Sequence, residues 1–280
     1  MQYYWAKAMA QALGISNMFQ YNKQIYYTLR FASAMCLIGH GAFGIIGKQI
    51  WLNYFAVFGI SHALGAQLMP VMGTIDILMA ISLLIYPTRA ILIWLVLWGA
   101  ITALCRPLSG EPFAEFIERA GNFGAPLGLL ILCGGVRNIR AWFSPIQPDA
   151  ASNATEPAKI IVYLRVVVFL LLIGHGWLNL IEKKGIIDQY TVLGFTNPAN
   201  TAHIVGLFEI LAGCTVLIKP IRPLLFAFLV WKMGSELFYP HWELFEWVER
   251  GGSYGAILAL WFALPLTKLT LPGRATSINN

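Results

Sequence analysis

Apolar residues run through this chain in long blocks, neither alternating nor striped along one helical face. "IDILMAISLLIY", "AILIWLVLWGAITAL" and "IIVYLRVVVFLLLIGHGWLNL" are long enough, with few charges, to approach the roughly 20 residues that cross a bilayer core. In hydrocarbon every backbone N–H and C=O must be paired within its own segment, so such blocks predict helices. Eight spans are expected, at about 29–47, 67–86, 88–106 and 113–135, then 161–181, 201–218, 221–239 and 249–267. Residues 1–28 lack a continuous apolar run and predict an amphipathic helix at the membrane surface, tyrosine and tryptophan at headgroup level. "QIWLNYFAVFGISHALGA" predicts an interfacial or re-entrant piece, and the polar stretch 141–158 a flexible join; 273–280 is a tail.

The polar interruptions recur. "LRFASAMCLIGHG" (29–41) lies over "LRVVVFLLLIGHG" (164–176), "GTIDILMAISLLIYPTR" (73–89) over "GLFEILAGCTVLIKPIR" (206–222), and "EFIERAGNFGA" (115–125) over "EWVERGGSYGA" (246–256). Matches spread across both halves predict a tandem duplication, 29–140 and 159–272. The fold expected is therefore all-α and integral to a membrane, with eight transmembrane helices arranged as two four-helix bundles. An even number of spans per unit makes the two bundles parallel, related by an axis along the membrane normal.

Composition agrees with that class: 58% of the 280 residues are hydrophobic and 11% charged, against about 25% charged in soluble domains. Mean hydropathy is +0.66. The net charge of +6 is unevenly placed. The side carrying the termini and the join has twelve Lys/Arg and two acids, the opposite side six Lys/Arg and eight acids. The positive-inside rule puts both termini in the cytoplasm, so the basic balance reflects topology and anionic lipid rather than nucleic acid. Four scattered cysteines, none in a CxxC, favour neither a disulfide framework nor a zinc site.

Depth can be read from the arginines that start the spans. His40 follows Arg30, and His175 follows Arg165, by ten residues, which is about 15 Å of helix and near mid-bilayer. Asp76 and Glu209 precede Arg89 and Arg222 by thirteen residues, about 20 Å deep on antiparallel helices and about one turn from the histidines. Lys232 reaches the same level, with Glu236 four residues on along the same face. Ionisable groups at that depth cost about 2.5–3.5 kcal/mol each on insertion scales, which makes them site candidates. One polar centre per half is expected: His175, Glu209, Lys232 and Glu236 as the principal, catalytic one, and His40 with Asp76 as a second. Acid–histidine contacts acting only as interhelical glue are the competing explanation. The glycines beside each histidine admit either a flat ligand or a neighbouring helix.

Trp98 and Trp231 are expected to face the bundle from the third spans and to contact a cofactor there. Glu118–Arg119 and Glu249–Arg250 open the fourth spans on the far side, as solvated ends or as a salt bridge between the halves.

With these residues in hand, each half resembles the DoxX-like family of small four-helix membrane proteins. The resemblance rests on "LR…LIGHG" and on "GLFEILAGCTVLIKPIRPLLFAFLVWKM" (206–233), and covers the first three spans of each half. The family often has a lysine three residues after the His-Gly pair and a glutamate in the second span. Here Gly44 and Asn179 hold the first position, and Asp76 replaces the glutamate in the first half. The resemblance implies quinone-linked redox work in a bacterial-type inner membrane, as an enzyme or as the membrane subunit of a complex. Quinone is the cofactor it favours, bound by imidazole and carboxylate; haem, which would need both histidines on one iron, ranks below it. A permease for a small solute or lipid, and a non-catalytic subunit anchoring a larger complex, are the rival classes.

Overall fold

A computed structural model describes residues 15–136, 138–148, 157–239 and 244–264. Every regular element among them is helical. The elements are α1 (Ile15–Ile46), α2 (Trp51–Val57), α3 (His62–Ile85), α4 (Arg89–Leu108), α5 (Ala114–Glu118), α6 (Ala120–Leu132) and a 3-10 turn (Ile139–Ala141). There follow α7 (Pro157–Leu180), α8 (Lys184–Val192), α9 (Pro198–Ile218), α10 (Arg222–Glu236), α11 (Leu244–Glu249) and α12 (Gly251–Ala263).

Five of these are long and apolar enough to cross a membrane: Asn22–Ile46, His62–Ile85, Arg89–Leu108, Ala158–Leu180 and Pro198–Ile218. The other three expected spans are shorter. α10 has 15 residues, and α6 and α12 have 13 each, about 20 Å of helix. α6 and α12 are short because the chain breaks just before each. Arg119 and Arg250 have φ −87° and −79° with ψ near zero, outside helical geometry, so α5/α6 and α11/α12 are each a helix cut in two.

Two boundaries differ from expectation. The first span begins earlier, because residues 15–28 carry neither proline nor glycine and continue the helix without interruption. Residues 1–14 of the expected surface segment lie outside the described residues. The join is not wholly loose: the Ile146 N–H donates to Pro87 O at 2.8 Å, its carbonyl accepts from Tyr26 Oη at 2.8 Å, and Ile146 is buried. Residues 149–156 of the join and the tail 273–280 lie outside the described residues.

α1, α6, α7 and α12 pack together at the centre, with α3 and α4 flanking one side and α9 and α10 the other. The outer helices turn large apolar side chains outward, among them Leu78, Ile81, Leu97, Leu207 and Phe208. The arginines used as depth markers cap neighbouring helices. Arg30 donates to Leu83 O at 2.9 Å at the end of α3, and Arg165 to Val216 O at 3.2 Å and Ile218 O at 2.6 Å at the end of α9. Cations there meet the orphan carbonyls and the negative end of the helix dipole.

Candidate functional site

The first centre forms as the depth estimate requires. His40 Nδ1 lies 2.7 Å from Asp76 Oδ2, joining α1 to α3. Asp76 is 1% exposed, yet its Oδ1 has no hydrogen-bond partner among the described residues. Trp51, delivered by the short α2, lies over the imidazole with ring centroids 4.3 Å apart, and Trp98 meets it edge-on at 6.3 Å. Trp98 Nε1 is also buried without a partner.

Beside this dyad is a cavity of about 290 Å³, at the lower end of the roughly 300–1,000 Å³ typical of ligand pockets. Its walls are mostly apolar and aromatic: Trp51, Tyr54, Phe55 and Phe58 from the α2 segment, and Met69 and Met72 from α3. His40, Asp76, Asn122, Arg106, Arg119 and Glu249 are among its polar lining residues. Tyr54 donates to the Glu111 carboxylate, and Arg106 holds the same carboxylate at 3.1 Å, so α2 is tied down across the cavity. Burial pushes the Tyr54 hydroxyl up, and its bond to Glu111 adds to that, so it stays a donor.

The second centre brings its four expected residues together in a tighter setting. His175 Nδ1 lies 2.6 Å from Glu209 Oε2, and Lys232 Nζ 2.8 Å from Glu236 Oε1 and 3.9 Å from Glu209 Oε1. Asn179 donates to Glu209 at 3.3 Å and accepts from Tyr190 Oη at 2.9 Å, while Tyr254 donates to Glu236 at 2.7 Å. None of the four ionisable side chains exceeds 7% exposure. Space sufficient for a ligand therefore lies at His40, the centre ranked second from sequence. Glu118, His175 and Glu236 bring ligand atoms within 4.8 Å of one another. Their carboxylates already face protein cations, Arg250 at 2.6 Å from Glu118 and Lys232 at 2.8 Å from Glu236, so their charges are paired within the protein.

The Glu-Arg pairs are not solvated ends. Both sit in the protein interior, where Arg250 reaches across to Glu118 at 2.6 Å. Arg119 holds Glu118 at 2.8 Å and Glu115 at 2.5 Å. Of the two expectations, the salt bridge between halves is what forms. Hydropathy could not reveal this, because the breaks at Arg119 and Arg250 bring these pairs level with the histidines rather than with the far surface.

The histidine-flanking glycines are occupied by protein backbone. A β-carbon on Gly39 would overlap the Glu249 backbone, and one on Gly174 the Glu118 backbone. On the other side of each histidine, a β-carbon at Gly41 would come within 2.6 Å of Gly73 O, and one at Gly176 within 2.7 Å of Gly206 O. Close helix approach, not a flat ligand, explains both glycines.

Trp231 departs from its expected place. It is 38% exposed on the exterior, while the neighbouring Lys232 points inward at 1%. One residue turns a helix by about 100°, and the buried Lys232–Glu236 pair fixes which face is inside. His62 is exposed, and His203 pairs with Glu182 at the surface; His241 lies outside the described residues.

Sequence reasoning missed Trp51, Arg106 and Lys48. Lys48 pairs with Glu246 and Lys183 with Glu115, each reaching into the other half of the chain. Both lysines stand eight residues after their histidine, a repeated spacing that was available as a signal. Burial lowers the Lys183 ammonium, but Tyr239 and Glu115 outweigh it and hold it above its ordinary value.

Compared with protein-family models, curated proteins and solved structures, the chain matches none.

Proposed function

We propose that the protein is a membrane-embedded binder of a quinone-type ring, built from two DoxX-like four-helix units fused in tandem. On this reading each broken helix counts as one span, giving eight, with both termini on the cytoplasmic side of a bacterial-type inner membrane. Recurring contacts support the duplication: His40–Asp76 with His175–Glu209, Lys48–Glu246 with Lys183–Glu115, and Gly39 on Glu249 with Gly174 on Glu118. Membrane lipid would cover the apolar exterior.

The single observation that carries the ligand assignment is the aromatic cavity ending on an Asp-oriented imidazole. Trp51 and Trp98 offer aromatic walls to a flat ring, and an isoprenoid tail suits the apolar lining. His40 would hydrogen-bond the ring oxygen, and Asp76 would fix its tautomer and share its proton. The second centre serves as the scaffold's interhelical lock. Exchange of two electrons and two protons at the ring needs an electron partner, which this reading assigns to another subunit.

Protein purified gently from its membrane should yield near-stoichiometric isoprenoid quinone on solvent extraction and mass spectrometry. His40→Ala and Asp76→Asn should lose it, and His175→Ala, if folded, should keep it. Quinone no higher than in bulk lipid would contradict the proposal.

One feature favours a second reading, a permease for a small solute. α5/α6 and α11/α12 break within the bundle, and broken helices with buried charge occur in secondary transporters. Proton- or ion-coupled uptake into liposomes, lost in Glu209→Gln, would move the account to that reading.

A further inference from the structure

We propose that the short helix α2 is a lid over the His40 cavity, hinged at two glycines and latched at Tyr54. The inference goes beyond the quinone-type reading, because it concerns how the cavity opens and not what occupies it.

α2 and the turn after it bring Trp51, Tyr54, Phe55, Phe58 and Ile60 to the cavity lining, with Trp51 lying over the His40 imidazole. Little holds the segment there. Trp51 is the one buried residue of α2, and Phe58 is exposed. Outside the helix itself, the backbone hydrogen bonds of residues 51–60 all stay within 48–60. Among the described residues, the hydrogen bond that leaves α2 for another element is the one Tyr54 donates to the Glu111 carboxylate. Gly47 and Gly59 bracket the segment at φ +82° and +72°, left-handed backbone that glycine reaches without strain. A β-carbon at either would meet nothing within 4 Å, so no packing blocks the hinges. Lys48, beside the first hinge, is anchored on Glu246. Ser61, past the second, caps α3 by accepting from Leu64 N at 3.3 Å. The ends are fixed and the helix between them can swing.

The second half carries the same device, shut. Glu182 and Gly194, at the offset that separates His40 from His175, have φ +53° and +85° and bracket α8. Three side chains of α8 are buried, Ile186, Gln189 and Tyr190. Gln189 donates to Ser235 O at 2.9 Å and Tyr190 to Asn179 Oδ1 at 2.9 Å. Glutamate takes a left-handed φ only with strain, and Glu182 is itself paired with His203 at 3.0 Å. The helix beside the tightly packed centre is pinned several times over. The helix over the cavity hangs on one hydroxyl.

The test needs no ligand. Cys105 lines the cavity and is buried, Cys133 is buried just past α6, and Cys214 is exposed. The full chain in detergent is treated with N-ethylmaleimide, and modification of each cysteine is followed in time by peptide mass spectrometry. Cys105 should react more slowly than Cys214 in the unaltered protein. Tyr54→Phe removes a hydrogen bond to a carboxylate and should speed Cys105 about tenfold or more, with Cys133 unchanged. Hydrogen exchange on the unaltered chain gives a second readout: amides of α2 should exchange about tenfold faster or more than those of α8. Cys105 reacting as fast as Cys214 before any substitution would overturn the lid, since nothing would then be covered. A Cys105 rate unmoved by Tyr54→Phe would overturn it, and so would Cys105 and Cys133 speeding together, which marks a loosened fold. Equal exchange in α2 and α8 would overturn it as well.

Discussion

Arg250 donates to Glu118 at 2.6 Å across 132 residues of sequence, deep in the protein and one residue before the second broken helix resumes. The pair ties the two halves where water is excluded, so its members stand or fall together. Breaking a buried pair by removing one partner costs about 3–5 kcal/mol, whereas replacing both by apolar groups is often neutral. Arg250→Met should therefore lower the melting temperature in detergent sharply. Adding Glu118→Gln should recover part of the loss. A single variant that melts like the parent would show that the bridge does not hold the halves.

Gly39 and Gly174 are predicted to be intolerant of even one methyl group. Alanine at either would press on backbone that cannot swing aside, and overpacking typically costs about 1–3 kcal/mol. Gly234, within α10, meets nothing within 4 Å of an added β-carbon. Gly234→Ala should be neutral, or stabilising by about 0.5–1 kcal/mol through the helix preference of alanine. Thermal melts of the three variants measure this directly, and equal tolerance at all three positions would contradict the close-packing role.

A pH dependence follows from Glu246. Burial alone would raise its carboxyl, but the Lys48 ammonium and Arg250 outweigh burial and hold it below the ordinary carboxylate range. A carboxylate lowered in the folded state contributes its full stability above its unfolded pKa of about 4.3. That contribution is lost as pH falls through the lowered folded value. Melting temperature should drop as pH falls below about 4.3, and Glu246→Gln should flatten that slope while lowering stability at neutral pH. Parallel slopes for the variant and the parent would exclude the pair as a source of the dependence.

The helical, membrane-type architecture and the two His–acid contacts were legible because both follow from one-dimensional quantities, run length and rise per residue. His40 and Asp76 could be matched in depth by counting from Arg30 and Arg89. The buried position of Glu118 and Arg119 could not be read that way, since beside the break before α6 Glu118 and Glu115 meet charges from the other half, Arg250 and Lys183. Trp231 was misplaced because spacing along a helix gives no absolute rotation. The imbalance between the centres did leave a trace. Gly99 and Ala103 occupy the register of Lys232 and Glu236, so the first half has small residues where the second has a buried ion pair. Volume and charge together, rather than charge alone, mark where a ligand has room.

The most direct measurement is photoaffinity labelling of the full chain in native membranes with an azido-quinone, followed by peptide mapping. The account predicts adducts on residues lining the His40 cavity, such as Trp51, Met72 and Trp98, with competition by unlabelled quinone and loss in His40→Ala. Labelling confined to the outer apolar surface, or unchanged by His40→Ala, would contradict it.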